Sequence, residues 1–309
     1  MKKILITSYT NPDVDGVSCA YAYAEFLQKQ GQDVVAGIFG DPHPEAQFVL
    51  DKFNINKIQN GELLIIDHPN IVFVDASDLD ALPKFIDSKQ VVEIIDHRKV
   101  HETEKFVNAN SQIELVGSCA TLIAEKFYQK NTPISRESAV LLYSAIASNT
   151  INFKNNVTTK RDIKIAAWLK LQIELPADYI HEMFAHKSNF IKPIKETVLS
   201  DFKLLTINNE KLGIGQLEII NAIEYTKNNL KEIENVLTEI KQEKSLDYIL
   251  LSFIDLDLAK NTFVVIDEKT KKLLELSLKI KFHGSTAQSD HIIMRKELHP
   301  IIKEILEIK

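Results

Sequence analysis

The sequence predicts an α/β protein in two parts: a doubly wound, mostly parallel sheet over residues 1–187 and a smaller α/β domain with a mixed sheet over residues 188–309. Three observations carry this expectation. Through the first half, short apolar runs alternate with helical stretches, the pattern of a parallel sheet covered on both faces. Near Ala185 to Pro193 the polar stretch His186-Lys187-Ser188-Asn189 runs up to a proline and the pattern changes, which marks a linker. Beyond it, two strand-type runs meet at Asn208-Asn209-Glu210, a hairpin signal foreign to a purely parallel sheet.

The elements follow in order. Strands are expected at Ile4 to Ser8, Asp33 to Gly37, Leu63 to Ile66, Ile71 to Val74 and Val91 to Ile95. Helical spacing or composition marks Val17 to Lys29, Ala46 to Lys52, Leu82 to Ser88, Ser118 to Gln129, Ser135 to Ser148 and Arg161 to Leu171. Ser135, with Ser138 three residues on, makes part of a capping box. In the second part, Phe202 to Asn208, Lys211 to Gln216, Tyr248 to Asp255, Thr262 to Asp267 and Ser277 to Phe282 read as strands, and Asn221 to Lys244 as one long helix.

Bulk composition bounds the function. A chain of 309 residues with 45% apolar content supports two cores. With 37 Lys plus Arg against 43 Asp plus Glu, the net charge of −6 argues against a protein that coats nucleic acid. Only Cys19 and Cys119 occur, and neither a leader pattern nor a long apolar span is seen, so a cytoplasmic protein without membrane contact is expected.

Four segments place polar groups where an apolar element meets a loop, the edge at which open α/β sheets bind ligands. They are Asn11-Pro12-Asp13-Val14-Asp15, Val72-Phe73-Val74-Asp75-Ala76-Ser77-Asp78, Ile94-Ile95-Asp96-His97-Arg98 and Ser144-Ala145-Ile146-Ala147-Ser148-Asn149-Thr150. Asp75 alone at a strand end reads as a turn residue, Asp78 as a helix cap, and a lone His97 as structural. Taken together, carboxylates with limited imidazole suit Mn²⁺ or Mg²⁺, and one bridging carboxylate can hold two such ions about 3.5 to 4 Å apart.

With these motifs, together with Val116-Gly117-Ser118-Cys119-Ala120-Thr121 and Met294-Arg295-Lys296-Glu297, the chain resembles the DHH phosphoesterase superfamily nearly end to end. Within it, the manganese-dependent family II inorganic pyrophosphatases are most similar. The resemblance implies an N-terminal metal domain, a C-terminal phosphate-binding domain and an active-site cleft between them. It implies further that Asp13 helps hold a first metal, that Asp15 and His97 hold a second, and that Asp75 bridges both. Arg295, Lys296 and Lys192 are implied to grip phosphate oxygens, a task suited to a planar guanidinium fork and compact ammonium charges. A homodimer through the edge of the N-terminal sheet is implied as well, although Val91 to Ile95 reads equally as an interior strand.

Three positions depart from the family pattern. Tyr9 stands where the pyrophosphatases carry a metal-binding histidine, and a protonated phenol is a poor ligand. Arg98 takes the place of the second histidine of Asp-His-His, or by a one-residue slip that of the following arginine. Asn149 replaces the last metal carboxylate and remains only a weak oxygen ligand. Each change weakens divalent binding, so at most one firm metal is expected, on Asp13, Asp15, Asp75 and His97. Arg98 and Asp75 become the expected catalytic residues, with Arg98 binding phosphate where a metal is missing. The expected activity is hydrolysis of pyrophosphate or a related small phosphorylated compound, with a non-catalytic binder of phosphorylated metabolites or nucleotides as the alternative. A nuclease or cyclic-dinucleotide phosphodiesterase fits less well, because Phe282-His283-Gly284-Ser285-Thr286 stands where such relatives carry a glycine-rich loop ending in histidine.

Overall fold

A computed structural model describes residues 2–56, 58–189 and 192–308, residue 308 by its backbone only. Positions 190 and 191, inside the expected linker, lie outside the described residues. The chain forms two compact units, Met1–His186 and Lys187–Lys309. Among the described residues no helix is long and apolar enough to cross a membrane.

In chain order the first unit comprises β1 (Ile4–Thr7), α1 (Val14–Lys29), β2 (Val34–Ile38), α2 (Pro44–Lys52), β3 (Gln59–Asn60), α3 (Gly61–Leu64), β4 (Asn70–Val74), β5 (Val91–Asp96), β6 (Asn110–Ile113), α4 (Cys119–Lys130), α5 (Arg136–Asn149), α6 (Lys160–Lys170) and α7 (Tyr179–Lys187). Its six strands pair in parallel in the order β3-β2-β1-β4-β5-β6. The order reverses at β1, so the carboxyl ends of β1 and β4 open a crevice, which is where such sheets place ligands. On one face α1 packs with α4 and α5. On the other, Leu5, Phe39, Ile71, Phe73, Ile94 and Phe106 form a buried cluster.

The second unit comprises α8 (Ile194–Ser200), β7 (Phe202–Ile207), β8 (Glu210–Ile219), α9 (Ala222–Glu243), β9 (Tyr248–Asp255), β10 (Lys260–Val265), α10 (Glu268–Leu278), β11 (Thr286–Gln288) and α11 (Arg295–Ile308). Its sheet is mixed, in the order β11-β10-β9-β8-β7. β8 and β9 run parallel across α9, and the remaining pairs are antiparallel. The β7–β8 turn needs positive φ at both central residues, and Asn208 (48°) and Asn209 (63°) supply it at little cost.

Several elements differ from the sequence reading. Leu63 to Ile66 is not a strand: Asn60 caps the short helix α3 by accepting the Glu62 amide at 2.8 Å, and Leu63 and Ile66 are exposed. Leu82 to Ser88 is not helical either. Pro83 keeps Leu82 extended (ψ 132°), and Asp87 with Gln90 forms a capping box for a single 3-10 turn over Ser88–Gln90. Ser277 to Phe282 holds no strand, because α10 continues to Leu278 and Lys279 ends it in the left-handed region. Val91–Asp96 lies between β4 and β6, so it is interior, and β3 and β6 are the edges.

Candidate metal centre

The loop after β1 enters α1 through Asp13, whose Oδ1 accepts the backbone N–H of Asp15 (2.8 Å) and of Gly16 (3.0 Å) as the N-cap. That cap turns Asp15 inward, fully buried, against the first turn of α4. Asp15 Oδ2 accepts the Ser118 hydroxyl (2.9 Å), the Cys119 N–H (2.8 Å) and the Asn149 Nδ2 (2.6 Å), while Oδ1 accepts the Ala120 N–H (2.8 Å) and the Cys19 thiol (3.3 Å). Burial raises its pKa above the carboxylate norm, opposed by His97 and by the donors on α4.

Asp75 follows β4 with φ 55°, a left-handed conformation that Asp tolerates better than most residues, and its N–H is tied to Ile95 O at 2.8 Å. Its Oδ1 is buried and accepts no hydrogen bond. His97, after β5, gives its Nδ1 to Val116 O at 3.0 Å, leaving Nε2 at 3.4 Å from Asp75 Oδ1 and 3.9 Å from Asp15 Oδ2. One ligand atom from each of Asp15, Asp75 and His97 thus lies within 4.8 Å of the others. Burial and then the Asp15 charge hold Asp75 well above the carboxylate norm. For His97, burial disfavours the cation, yet the two carboxylates outweigh it and push its pKa up to about 10.

A pH dependence follows. Above about pH 6.5 the unfolded chain keeps no proton on either Asp75 or His97, whereas the native pair keeps one until about pH 10. The contribution of this pair to the stability of the metal-free protein is therefore fully present below pH 6.5 and is lost as pH rises toward 10. The two buried thiols, also raised, add in the same direction only near pH 9 and above. Thermal unfolding in EDTA at pH 6.5, 8 and 9.5 is expected to show a falling Tm, and a flat or rising one would contradict the assignment.

The three departures surround this cluster. The Tyr9 hydroxyl accepts the Asp13 N–H at 3.2 Å, and burial with the charges of Asp13 and Asp75 keeps its phenol protonated. Arg98 lies over the Tyr9 ring at 5.8 Å and donates to Asp75 O at 3.0 Å. Asn149 presents its amide nitrogen to Asp15 where an oxygen ligand was expected. Asp13 is not among the three clustered ligands. Asp78, expected as a cap, makes no capping bond and instead lies 3.6 Å from Arg98 Nη1.

The cations of the second unit have their own setting. Arg295 opens α11, with its N–H on Gln216 Oε1 (2.7 Å) and its Nη1 on Asp201 O (2.9 Å) and Oδ1 (2.5 Å). Lys296 follows it, and Lys192 precedes α8; both are exposed.

Sequence reasoning missed the clamp behind Asp15. Asp162 of α6 is fully buried and accepts the Gly117 N–H (2.9 Å), the Thr121 hydroxyl (2.6 Å), and the Thr159 N–H (2.6 Å) and hydroxyl (2.7 Å). Gly117 is required there, since a Cβ would meet Thr150 Cγ2 at 2.6 Å. The only local signal was Thr159-x-x-Asp162, which serves as a capping box as well. Asp162→Ala is expected to lower stability by about 3 kcal/mol, because several buried donors lose their acceptor at once. Denaturant unfolding measures it, and a loss below about 1 kcal/mol would mean the clamp is not tight.

A carboxylate and imidazole cluster thus stands at the switch point of the doubly wound sheet, the edge at which such sheets bind ligands. Residues 3–146 match the model of the DHH family N-terminal domain and residues 181–305 that of the DHHA2 domain. The chain belongs to the DHH phosphoesterase superfamily. A Bacillus mycoides (strain KBAB4) relative named "Probable manganese-dependent inorganic pyrophosphatase" is 27% identical over 310 residues, covering 99% of this chain and 100% of the relative. A Bacillus cereus (strain 03BB102) protein of the same name is 26% identical with the same coverage. Among solved structures, a Methanococcus jannaschii protein named "putative family II inorganic pyrophosphatase" superposes with TM-score 0.71 at 27% identity, over 98% of this chain and 99% of that one. An exopolyphosphatase-related protein from Bacteroides fragilis shares the fold, with TM-score 0.51 at 16% identity over 99% and 92% of the two chains.

Proposed function

We propose that this chain is a cytoplasmic, divalent-cation-dependent hydrolase that acts on pyrophosphate or a related small phosphorylated compound, with Mn²⁺ or Mg²⁺ held by Asp15, Asp75 and His97. The observation that carries the reading is Asp75 Oδ1, a buried carboxylate oxygen with no donor, facing an imidazole nitrogen and a second carboxylate. A buried carboxylate oxygen whose nearest partner is an imidazole nitrogen at 3.4 Å is costly to hold charged, and a cation between them relieves that cost. The donor set fits a hard divalent ion, and fits one rather than two: Asp13 stands outside the clustered ligands, and Tyr9 is a protonated phenol.

When bound, the ion supplies Lewis acidity toward water and a phosphoryl oxygen. The chain does the rest. Val116 fixes the His97 ring so that Nε2 faces the cluster, α4 fixes Asp15, and Arg98 offers a permanent charge to a phosphoryl oxygen. By the family resemblance, Arg295, Lys296 and Lys192 contribute further phosphate contacts, and the first sheet's edge a homodimer contact. Nucleic acid is not an expected substrate at net charge −6.

The test is phosphate release from pyrophosphate, short polyphosphate and nucleotides with Mn²⁺, Mg²⁺ or EDTA, alongside metal analysis. Cation-dependent release with one bound ion is expected, and two stoichiometric ions would overturn the one-ion site. The second reading, a non-catalytic binder, draws support from Asn149, whose amide already satisfies Asp15. Ligand-dependent thermal stabilisation without release from any of these compounds would favour it.

A further inference from the structure

Arg98 carries five N–H donors, and among the described residues only one contact reaches hydrogen-bond length, Nη2 to Asp75 O at 3.0 Å. Its Nη1 is 3.6 Å from Asp78 Oδ2 and its Nε is 3.8 Å from Asp96 Oδ1, ion-pair separations without hydrogen bonds. The two carboxylates differ in kind. Asp96 is fully buried and committed, with Oδ1 on the His97 N–H (2.7 Å) and Oδ2 on the Ser77 hydroxyl (2.5 Å). Asp78 has 37% of its side chain exposed, does not cap the 3-10 turn that it precedes, and leaves the Leu79 N–H to Glu102.

An exposed ion pair at that distance is weak, and a phosphoryl group that takes two N–H groups of the planar guanidinium at once outcompetes it. The Tyr9 ring stays under the guanidinium in either case, because its hydroxyl is tied to the Asp13 N–H. We propose that Arg98 binds a phosphoryl group without any divalent cation, that Asp78 is the resting counter-ion which the phosphoryl group displaces, and that Tyr9 is the platform that keeps the guanidinium in place. The proposal rests on the phosphate-directed reading of this site and makes Asp78 its negative regulator. Unlike a cation shell built on titrating ligands, the guanidinium keeps its charge at every accessible pH.

The test is calorimetric titration of the full chain with orthophosphate in EDTA. The unmodified protein is expected to bind; Arg98→Gln and Arg98→Lys should weaken binding about tenfold or more, the lysine failing because it lacks the fork. Asp78→Asn should tighten binding severalfold, a gain that damage to the fold does not produce. Tyr9→Leu should weaken it more than Tyr9→Phe, which keeps the ring and loses only the hydroxyl tie to the Asp13 N–H. Absence of binding in EDTA, or binding indifferent to both Arg98→Gln and Asp78→Asn, overturns the proposal. Turnover separates it from the hydrolase reading: a protein that hydrolyses with Mn²⁺ yet binds no phosphate in EDTA loses this proposal alone. One that binds in EDTA and never turns over keeps it and loses the other.

Discussion

Asparagine at position 75 is expected to leave the protein folded and to remove its response to divalent cations. Asn accepts a left-handed backbone as readily as Asp, whereas Ala would add about 1 kcal/mol of strain at φ 55°. Since damage to residues behind a metal ligand costs on the order of 10 to 100-fold in affinity, loss of Asp75 itself should exceed about 100-fold. Thermal unfolding with and without Mn²⁺ reads it directly: the Mn²⁺-induced rise in Tm should vanish, as should cation-dependent phosphate release. The fall of metal-free Tm with pH should flatten too, because His97 loses the carboxylate that raises it most. Retention of a normal Mn²⁺ response would remove Asp75 from the centre.

Asn149→Asp should produce the opposite change, a gain. In the metal-free protein a second carboxylate would stand 2.6 Å from Asp15 Oδ2 in place of a donor, so one of the pair must hold a proton. The expected cost is about 1 to 3 kcal/mol, the scale of a buried acceptor that loses its partner. With Mn²⁺ the added carboxylate becomes a fourth ligand, and affinity should rise by about tenfold or more. The two unfolding curves therefore cross, with the variant less stable in EDTA and more stable in excess Mn²⁺. Unchanged Mn²⁺ affinity would mean that position 149 does not face the ion.

How far the sequence could be read depended on whether a residue's role is local. β1, β4 and β5 are runs of Ile, Val, Leu and Phe ended by polar groups, so strand type and functional end were both visible. β6, Asn-Ser-Gln-Ile, carries no such signal, because an edge strand can be polar and owes its shape to β5. α11 is hidden by Pro300, a residue that ordinarily interrupts a helix, in its interior. In the centre, Asp15, Asp75 and His97 converge as strand-end placement implies. What could not be read were the partners that come from far along the chain: Asp162, 45 residues from Gly117, and the α4 amides, more than 100 residues from Asp15. The face of Asn149 presented to Asp15 is likewise a tertiary choice, since the amide can offer its N–H to a carboxylate or its oxygen to a cation.

The grip of α4 on Asp15 bears on which variants can be interpreted. Asp15 closes the first turn of one helix and begins another, so it serves as a structural keystone whatever chemistry passes beside it. Removing it strands the Ser118 hydroxyl and the Cys119 and Ala120 amides inside the protein, and the resulting inactivity would report on folding and catalysis without distinguishing them. Asp75 Oδ1 accepts no hydrogen bond and faces the His97 ring, so among the carboxylates of the cluster its loss strands no backbone amide and reads most directly as chemistry.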